Sequence, residues 1–175
     1  IPLLAEQLGV AFFNEALGQL CMDWLWDPVY SIREAAIVNL QKLTKFFGED
    51  WCKKELIKRI LEKKQSKDFD NFICRITCLL ALDKLIPVLS PKVISEDIYP
   101  FIDELKSDQV PNIRFNVAKS LASIAERLYP EYKTIVTDKI VPTLEAFEND
   151  DDVDVRFYTK QSIEKVNKLL QDTKQ

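Results

Sequence analysis

Histidine is absent from this 175-residue chain, and glycine occurs only three times, at Gly9, Gly18 and Gly48. Without histidine, Ser-His-Asp and Cys-His nucleophiles and HExxH zinc sites cannot be assembled. Glycines standing singly exclude the GxGxxG fingerprint and the GxxxxGK phosphate loop. Cys21, Cys52, Cys74 and Cys78 are too sparse to staple a chain of this length and lack the paired spacing of structural zinc, so buried, reduced thiols are expected. Cys74 and Cys78 would share a helix face, but two further metal ligands are wanting. No apolar run approaches the roughly 18 residues of a membrane span, and the opening IPLLAEQLGV has neither a charged n-region nor a cleavage site. Neither sign of charge dominates: 24 Lys plus Arg face 28 Asp plus Glu, a net charge of −4, without the basic excess of a nucleic-acid binder. The expectation is a soluble folded protein with no catalytic residues, no cofactor, no metal, no membrane contact and no nucleic-acid partner. The chain opens without Met, inside a helical pattern, so it is expected to be a piece of a longer protein.

What the chain does contain is repetition. Four segments superimpose: LCMDWLWDPVYSIREAAIVNLQKL (20–43), RILEKKQSKDFDNFICRITCLLALDKL (59–85), FIDELKSDQVPNIRFNVAKSLASI (101–124) and TLEAFENDDDVDVRFYTKQSIEKV (143–166). Each has an apolar helical stretch, a turn opening with Asp, and an arginine that starts a second helix. Arg33, Arg75, Arg114 and Arg156 are 42, 39 and 42 residues apart, which is the period of HEAT or armadillo repeats. Seven residues beyond them lie Leu40, Leu82, Leu121 and Ile163; ten beyond lie Leu43, Leu85, Ile124 and Val166. An aliphatic stripe at that spacing is one buried helix face. Ala36, Cys78, Ala118 and Thr159, nearer the arginines, are small, as close helix approach requires. First helices are predicted from Asn14 to Trp26, Trp51 to about Gln65, Ser95 to about Leu105, and Tyr132 to about Phe147. Second helices are predicted at about 30–47, 71–85, 111–128 and 152–170. Pro100 and Pro142 should bend the helices that hold them. The predicted fold is all-α, a right-handed α-α superhelix of antiparallel helix pairs, divided into 1–13 (tail of a preceding repeat), 14–48, 49–89, 90–129 and 130–175. Ile1 to Leu8 would end a preceding second helix, and the polar QDTKQ would cap the stack.

Candidate sites cluster in the turns between paired helices. Asp27, Asp68 or Asp70, Asp108 and Asp150 precede the arginines, with Ile32, Ile113 and Val155 immediately before them. Asp is expected to cap helix N–H groups and to pair with an arginine of its own or the neighbouring turn. The second turn departs from the pattern, since Cys74 takes the apolar place and Asp68 is one residue out of register. Trp26, Val29, Tyr30, Phe69, Phe72, Val110, Pro111 and Val153 either form an exposed partner patch or fold back over the core; exposure is expected for Tyr30 and Phe72. Asp150, Asp152 and Asp154 fit the first places of a calcium loop, but Val155 stands where Gly is needed and Gln161 where Glu is needed, so helix capping is the reading. Lys53, Lys54, Lys58, Arg59, Lys63, Lys64 and Lys67 are interleaved with Glu55 and Glu62 and read as a solvated helix face.

The segments PLLAEQLGVAFFNEALGQLCMDWLWDPVYSIREAA (2–36), NIRFNVAKSL (112–121) and DVDVRF (152–157) resemble the C-terminal HEAT repeats of the scaffolding (A) subunits of type 2A protein serine/threonine phosphatases. The resemblance covers essentially the whole chain and is weakest over 52–100. It implies a non-catalytic horseshoe, cytoplasmic and nuclear, whose turns form a ridge that holds the catalytic subunit of the phosphatase. The N-terminal repeats missing from this chain would bind a regulatory B-type subunit. The family's turn positions carry over to Tyr30 and Arg33; to Asn71, Phe72 and Arg75; to Val110, Asn112 and Arg114; and to Val153 and Asp154. Competing readings are a HEAT array of a nuclear-transport receptor or chromosome-organising complex, and an enzyme on a helical solenoid. The last would need a convergent set of perturbed acids in a pocket, which spacing does not reveal.

Overall fold

The computed structural model describes residues 2–172. Ile1 of the expected N-terminal tail and the last three residues of the QDTKQ segment lie outside the described residues. Eight helices follow one another with short turns: α1 (2–26), α2 (Tyr30–Phe47), α3 (49–65), α4 (Phe72–Leu85), α5 (91–107), α6 (Pro111–Leu128), α7 (133–147) and α8 (Val153–Asp172). They form two compact units, one of α1–α4 and one of α5–α8, divided between Val88 and Leu89. In each unit the two second helices pack side by side, α2 with α4 and α6 with α8.

Leu40, Leu43, Leu82, Leu85, Leu121, Ile124 and Val166 are all buried, as are Ala36, Cys78, Ala118 and Thr159. A fully buried aliphatic side chain contributes about 1.5–3 kcal/mol, so this stripe adds substantially to the core of each unit. Ile163 is the exception and is half-buried; its helix, α8, packs chiefly on α6 and α7. In the first unit, Phe13, Phe47 and Trp51 make a tilted aromatic cluster with centroids 4.8 to 5.9 Å apart. Trp51 Nε1 donates to Asn14 Oδ1 at 2.9 Å, satisfying the indole in this mostly apolar setting. All four cysteines are free and buried.

The first helices differ from the sequence reading in two ways. Three of the four starts lie earlier, the last falling one residue from its predicted place: α1 is helical through residues 10–13 and is interrupted only at Gly9 (φ 81°, ψ 167°), while Gly48 (φ 86°, ψ 173°) separates α2 from α3 in the same conformation. That region is open to glycine and costly for any residue with a Cβ, so these two glycines mark the breaks between successive helix pairs. The prolines also have a setting the sequence did not show. Each first helix contains one π-helical turn, at Phe13–Leu17, Cys52–Ile57, Ile94–Ile98 and Val136–Ile140. Pro100 and Pro142 follow the last two, yet the same wide turn occurs in α1 and α3 without proline. The bulge belongs to the repeat, and proline occupies a place where the i→i−4 hydrogen-bond pattern is already interrupted.

Candidate protein-binding turns

The four arginines do one thing in common, and it is not what their spacing to Asp suggested. Arg33 Nη1 donates to the carbonyls of Asp27 (2.8 Å) and Pro28 (3.0 Å). Arg75 Nη1 donates to those of Phe69 (2.9 Å) and Asp70 (2.8 Å). Arg114 Nη1 reaches the carbonyl of Asp108 (2.9 Å), and Arg156 Nη1 those of Asp150 (2.6 Å) and Asp151 (2.9 Å). Within its own turn the guanidinium therefore grips backbone oxygens, not a carboxylate. Charge-assisted bonds to carbonyls that the end of a helix leaves unpaired fix the course of each turn.

The aspartates shape the turns from the other side. Asp27 Oδ1 accepts from Val29 N (2.8 Å), Asp108 Oδ1 from Val110 N (2.9 Å) and Asp150 Oδ1 from Asp152 N (2.9 Å). These bonds close turns two residues long and stop short of the helices, and α2 and α6 start without a side-chain cap, which corrects the capping role assigned to Asp27, Asp108 and Asp150. Asp152 does cap α8, its Oδ1 accepting from Asp154 N (2.9 Å) and Val155 N (3.1 Å). In the deviant second turn the cap is Asn71, whose Oδ1 accepts from Ile73 N at 2.9 Å. Asp68 pairs instead with Lys63.

In the first unit the tips carry exposed apolar groups. Tyr30 is 60% exposed and Phe72 45%, with Val29 and Ile73 beside them. The Arg33 guanidinium lies 5.7 Å from the Tyr30 ring centroid and holds the phenol over the turn. Trp26 and Phe69 are only half-buried, and Lys63 Nζ sits 4.8 Å above the Trp26 ring. Arg75 is buried. Between the two turns runs an open cleft of about 440 Å³, to which Trp26, Arg33, Lys63, Lys67, Asp68 and Asn71 contribute.

In the second unit Val153 is 65% exposed, and Asp154 and Asn112 are exposed, whereas Val110 and Pro111 are half-buried against the core. Asn112 offers both its carbonyl and its Oδ1 to Asn116 Nδ2, at 2.8 and 2.9 Å. Here the expected pairing between neighbouring turns is present: Arg114 Nε and Nη2 clasp Asp150 Oδ2 and Oδ1 at 2.7 and 2.8 Å. The bond to Arg114 holds the Asp150 carboxyl below the usual carboxylate range and raises the guanidinium in return. Phe157, 56% exposed, stands edge-on to Tyr158, which stacks on Phe115 at 4.9 Å and lies under Lys119 Nζ. This aromatic group was not singled out in the sequence; the signal for it is the position just after the arginine, where Phe115 and Phe157 both fall.

Most of the basic run is spread along α3, where Arg59 meets Glu55 (3.4 Å), Lys58 meets Glu62 (4.0 Å) and Lys54 meets Glu55 (3.8 Å) on the solvent side, whereas Lys63 and Lys67, the latter just beyond α3, turn to the cleft. Among the described residues no helix is long and apolar enough to cross a membrane, and no group of three or more Cys, Asp or Glu side chains could hold a metal ion.

Paired helices at this period, stacked on an aliphatic stripe and joined by arginine-held turns, define an α-helical repeat protein. The chain belongs to the family described as PIK3R4-like, middle domain, whose model matches residues 64–169. Over 135 residues, 75% of its length, it is 48% identical to the A-type regulatory subunit of protein phosphatase PP2A from Saccharomyces cerevisiae. Over 50 residues, 29% of its length, it is 44% identical to the protein of the same name from Schizosaccharomyces pombe. It is also 31% identical over 85 residues, 46% of its length, to the TATA-binding protein-associated factor mot1 of Schizosaccharomyces pombe. The matches span 21%, 8% and 4% of these three relatives.

Proposed function

We propose that this chain is a non-catalytic scaffold segment that docks the catalytic subunit of a type 2A protein phosphatase through its turns. The regulatory B-type subunit would be held by repeats outside this chain, and the assembly would work in the cytoplasm and nucleus. The observation that carries the reading is the pair Tyr30 and Phe72: two aromatics exposed to solvent where loop tips are normally polar, on neighbouring turns whose backbones are held by arginines. Anchors of that kind account for much of the affinity in protein interfaces. The similarity to proteins named as A-type regulatory subunits of PP2A supports the choice of a type 2A phosphatase as the partner.

The test is a pull-down of the phosphatase catalytic subunit with the native chain and with the Tyr30→Ala, Phe72→Ala double variant. Capture is expected to fall at least tenfold while the circular dichroism spectrum is unchanged, because both side chains lie outside the core. Undiminished capture by a folded double variant would remove these turns from the interface. The likeness to mot1 favours a second reading, a helical-repeat module for another partner, and failure of the native chain to capture the phosphatase would support it.

A further inference from the structure

At one position the corresponding turns of the two units differ in a way that leaves an unfilled place. Each turn arginine spends Nη1 on carbonyls of its own turn. In the second unit the remaining edge of Arg114, Nε and Nη2, closes in a bidentate pair on Asp150, the residue six before Arg156. The equivalent position in the first unit, six before Arg75, is Phe69. Its backbone is placed alike, since the Phe69 carbonyl accepts from Arg75 Nη1 as the Asp150 carbonyl accepts from Arg156 Nη1. Its side chain carries no acid. Arg33 accordingly makes hydrogen bonds to the Asp27 and Pro28 carbonyls alone among the described residues, and it lines the open cleft of about 440 Å³ between the turns. Lys63 and Lys67 line it too, against one carboxylate, Asp68, which Lys63 already engages.

We propose that this cleft is a carboxylate-binding site, filled by an Asp or Glu side chain of a partner polypeptide that pairs with Arg33 Nε and Nη2 as Asp150 pairs with Arg114. Lys67 adds a second positive charge at the rim, and Trp26 forms an aromatic wall. Planar bidentate recognition suits a carboxylate, and two positive charges beyond the Lys63–Asp68 pair attract it over a distance. The proposal deepens the reading of the turns as a docking surface and rests on it for the polypeptide nature of the partner.

The experiment uses the full ¹⁵N-labelled chain and follows the Arg33 Nε–H resonance during titration with the blocked residue Ac-Glu-NHMe, with Ac-Gln-NHMe as the uncharged control. A saturable shift with the first and none with the second is expected. In the Phe69→Asp variant, which supplies the acid internally, the resonance is expected to start near its shifted position and to stay there. No shift of Arg33 with Ac-Glu-NHMe, an equal shift with Ac-Gln-NHMe, or a tenfold stronger response to inorganic phosphate would each overturn the assignment. The native-chain titration decides even if Phe69→Asp fails to fold. Because no phosphatase is present, a negative result here leaves the pull-down with the Tyr30 and Phe72 variants as an independent test.

Discussion

A single ion pair illustrates how much local chemistry rests on one side chain. The side chains of Arg114 and Asp150 are only 16% and 10% exposed, so their bidentate pair is shielded from most of the screening that weakens surface pairs. The Asp150 carboxyl ionises below its ordinary range in the folded chain and near 3.9, the ordinary Asp value, in the unfolded one. Its contribution is therefore complete from about pH 5, a unit above that ordinary value, and is lost as pH falls toward and through the depressed folded value. Asp150→Asn is expected to cost about 1.5–3 kcal/mol at pH 7. The native chain should also lose Tm between pH 5 and pH 3 more steeply than the variant does, which thermal melts across that range will show. The pairing of neighbouring turns was legible in the sequence because acid and base recur at fixed spacing. The grip of each arginine on its own turn was not, since a carbonyl acceptor has no letter in the sequence.

At the scale of the helix, breaks and bulges divide the work between two kinds of residue. Gly48 ends α2 with its N–H bonded to the Thr44 carbonyl at 2.9 Å, and a Cβ placed on it would meet no atom within 4 Å. Any cost of Gly48→Ala is then backbone strain alone, about 1–3 kcal/mol. Gly18 lies in helical conformation, and a Cβ there would meet only the Phe13 carbonyl at an ordinary 3.5 Å. Gly18→Ala is expected to stabilise by up to about 1 kcal/mol. Opposite signs in urea unfolding would check both assignments at once. Scarcity of glycine announced an all-helical chain, but not that two of the three would mark the joints. The second helices were predicted to within a residue or two because an arginine and an aliphatic stripe fix their phase. The first helices were placed less well, since a π-helical turn shifts the side-chain phase within the element and blurs a 3.6-residue pattern.

The described residues divide into two compact units, each with buried residues of its own. Leu121 is fully buried in the second, and Leu121→Ala is expected to cost about 2–5 kcal/mol, by urea denaturation. Repeat arrays gain stability from near neighbours. Amide hydrogen exchange in the variant should therefore accelerate more over 89–172 than over 2–88, and equal acceleration throughout would contradict that localisation. The core was readable because burial imposes a period; the candidate site was readable only in part, since exposure imposes none. Tyr30 and Phe72 stood out as aromatics at tips, whereas the half-burial of Val110 depends on how far one turn leans inward.

The arginine grip has a consequence for what such a molecule can become. Each turn is tied from beneath, by a side chain already inside the second helix acting on main-chain oxygens that any residue supplies. The two residues just ahead of the second helix read Pro-Val, Asp-Asn, Gln-Val and Asp-Asp, yet the arginine holds all four turns through carbonyls of the preceding chain. Form and lettering are uncoupled, so the tips can be rewritten for a new partner without renegotiating the fold beneath them.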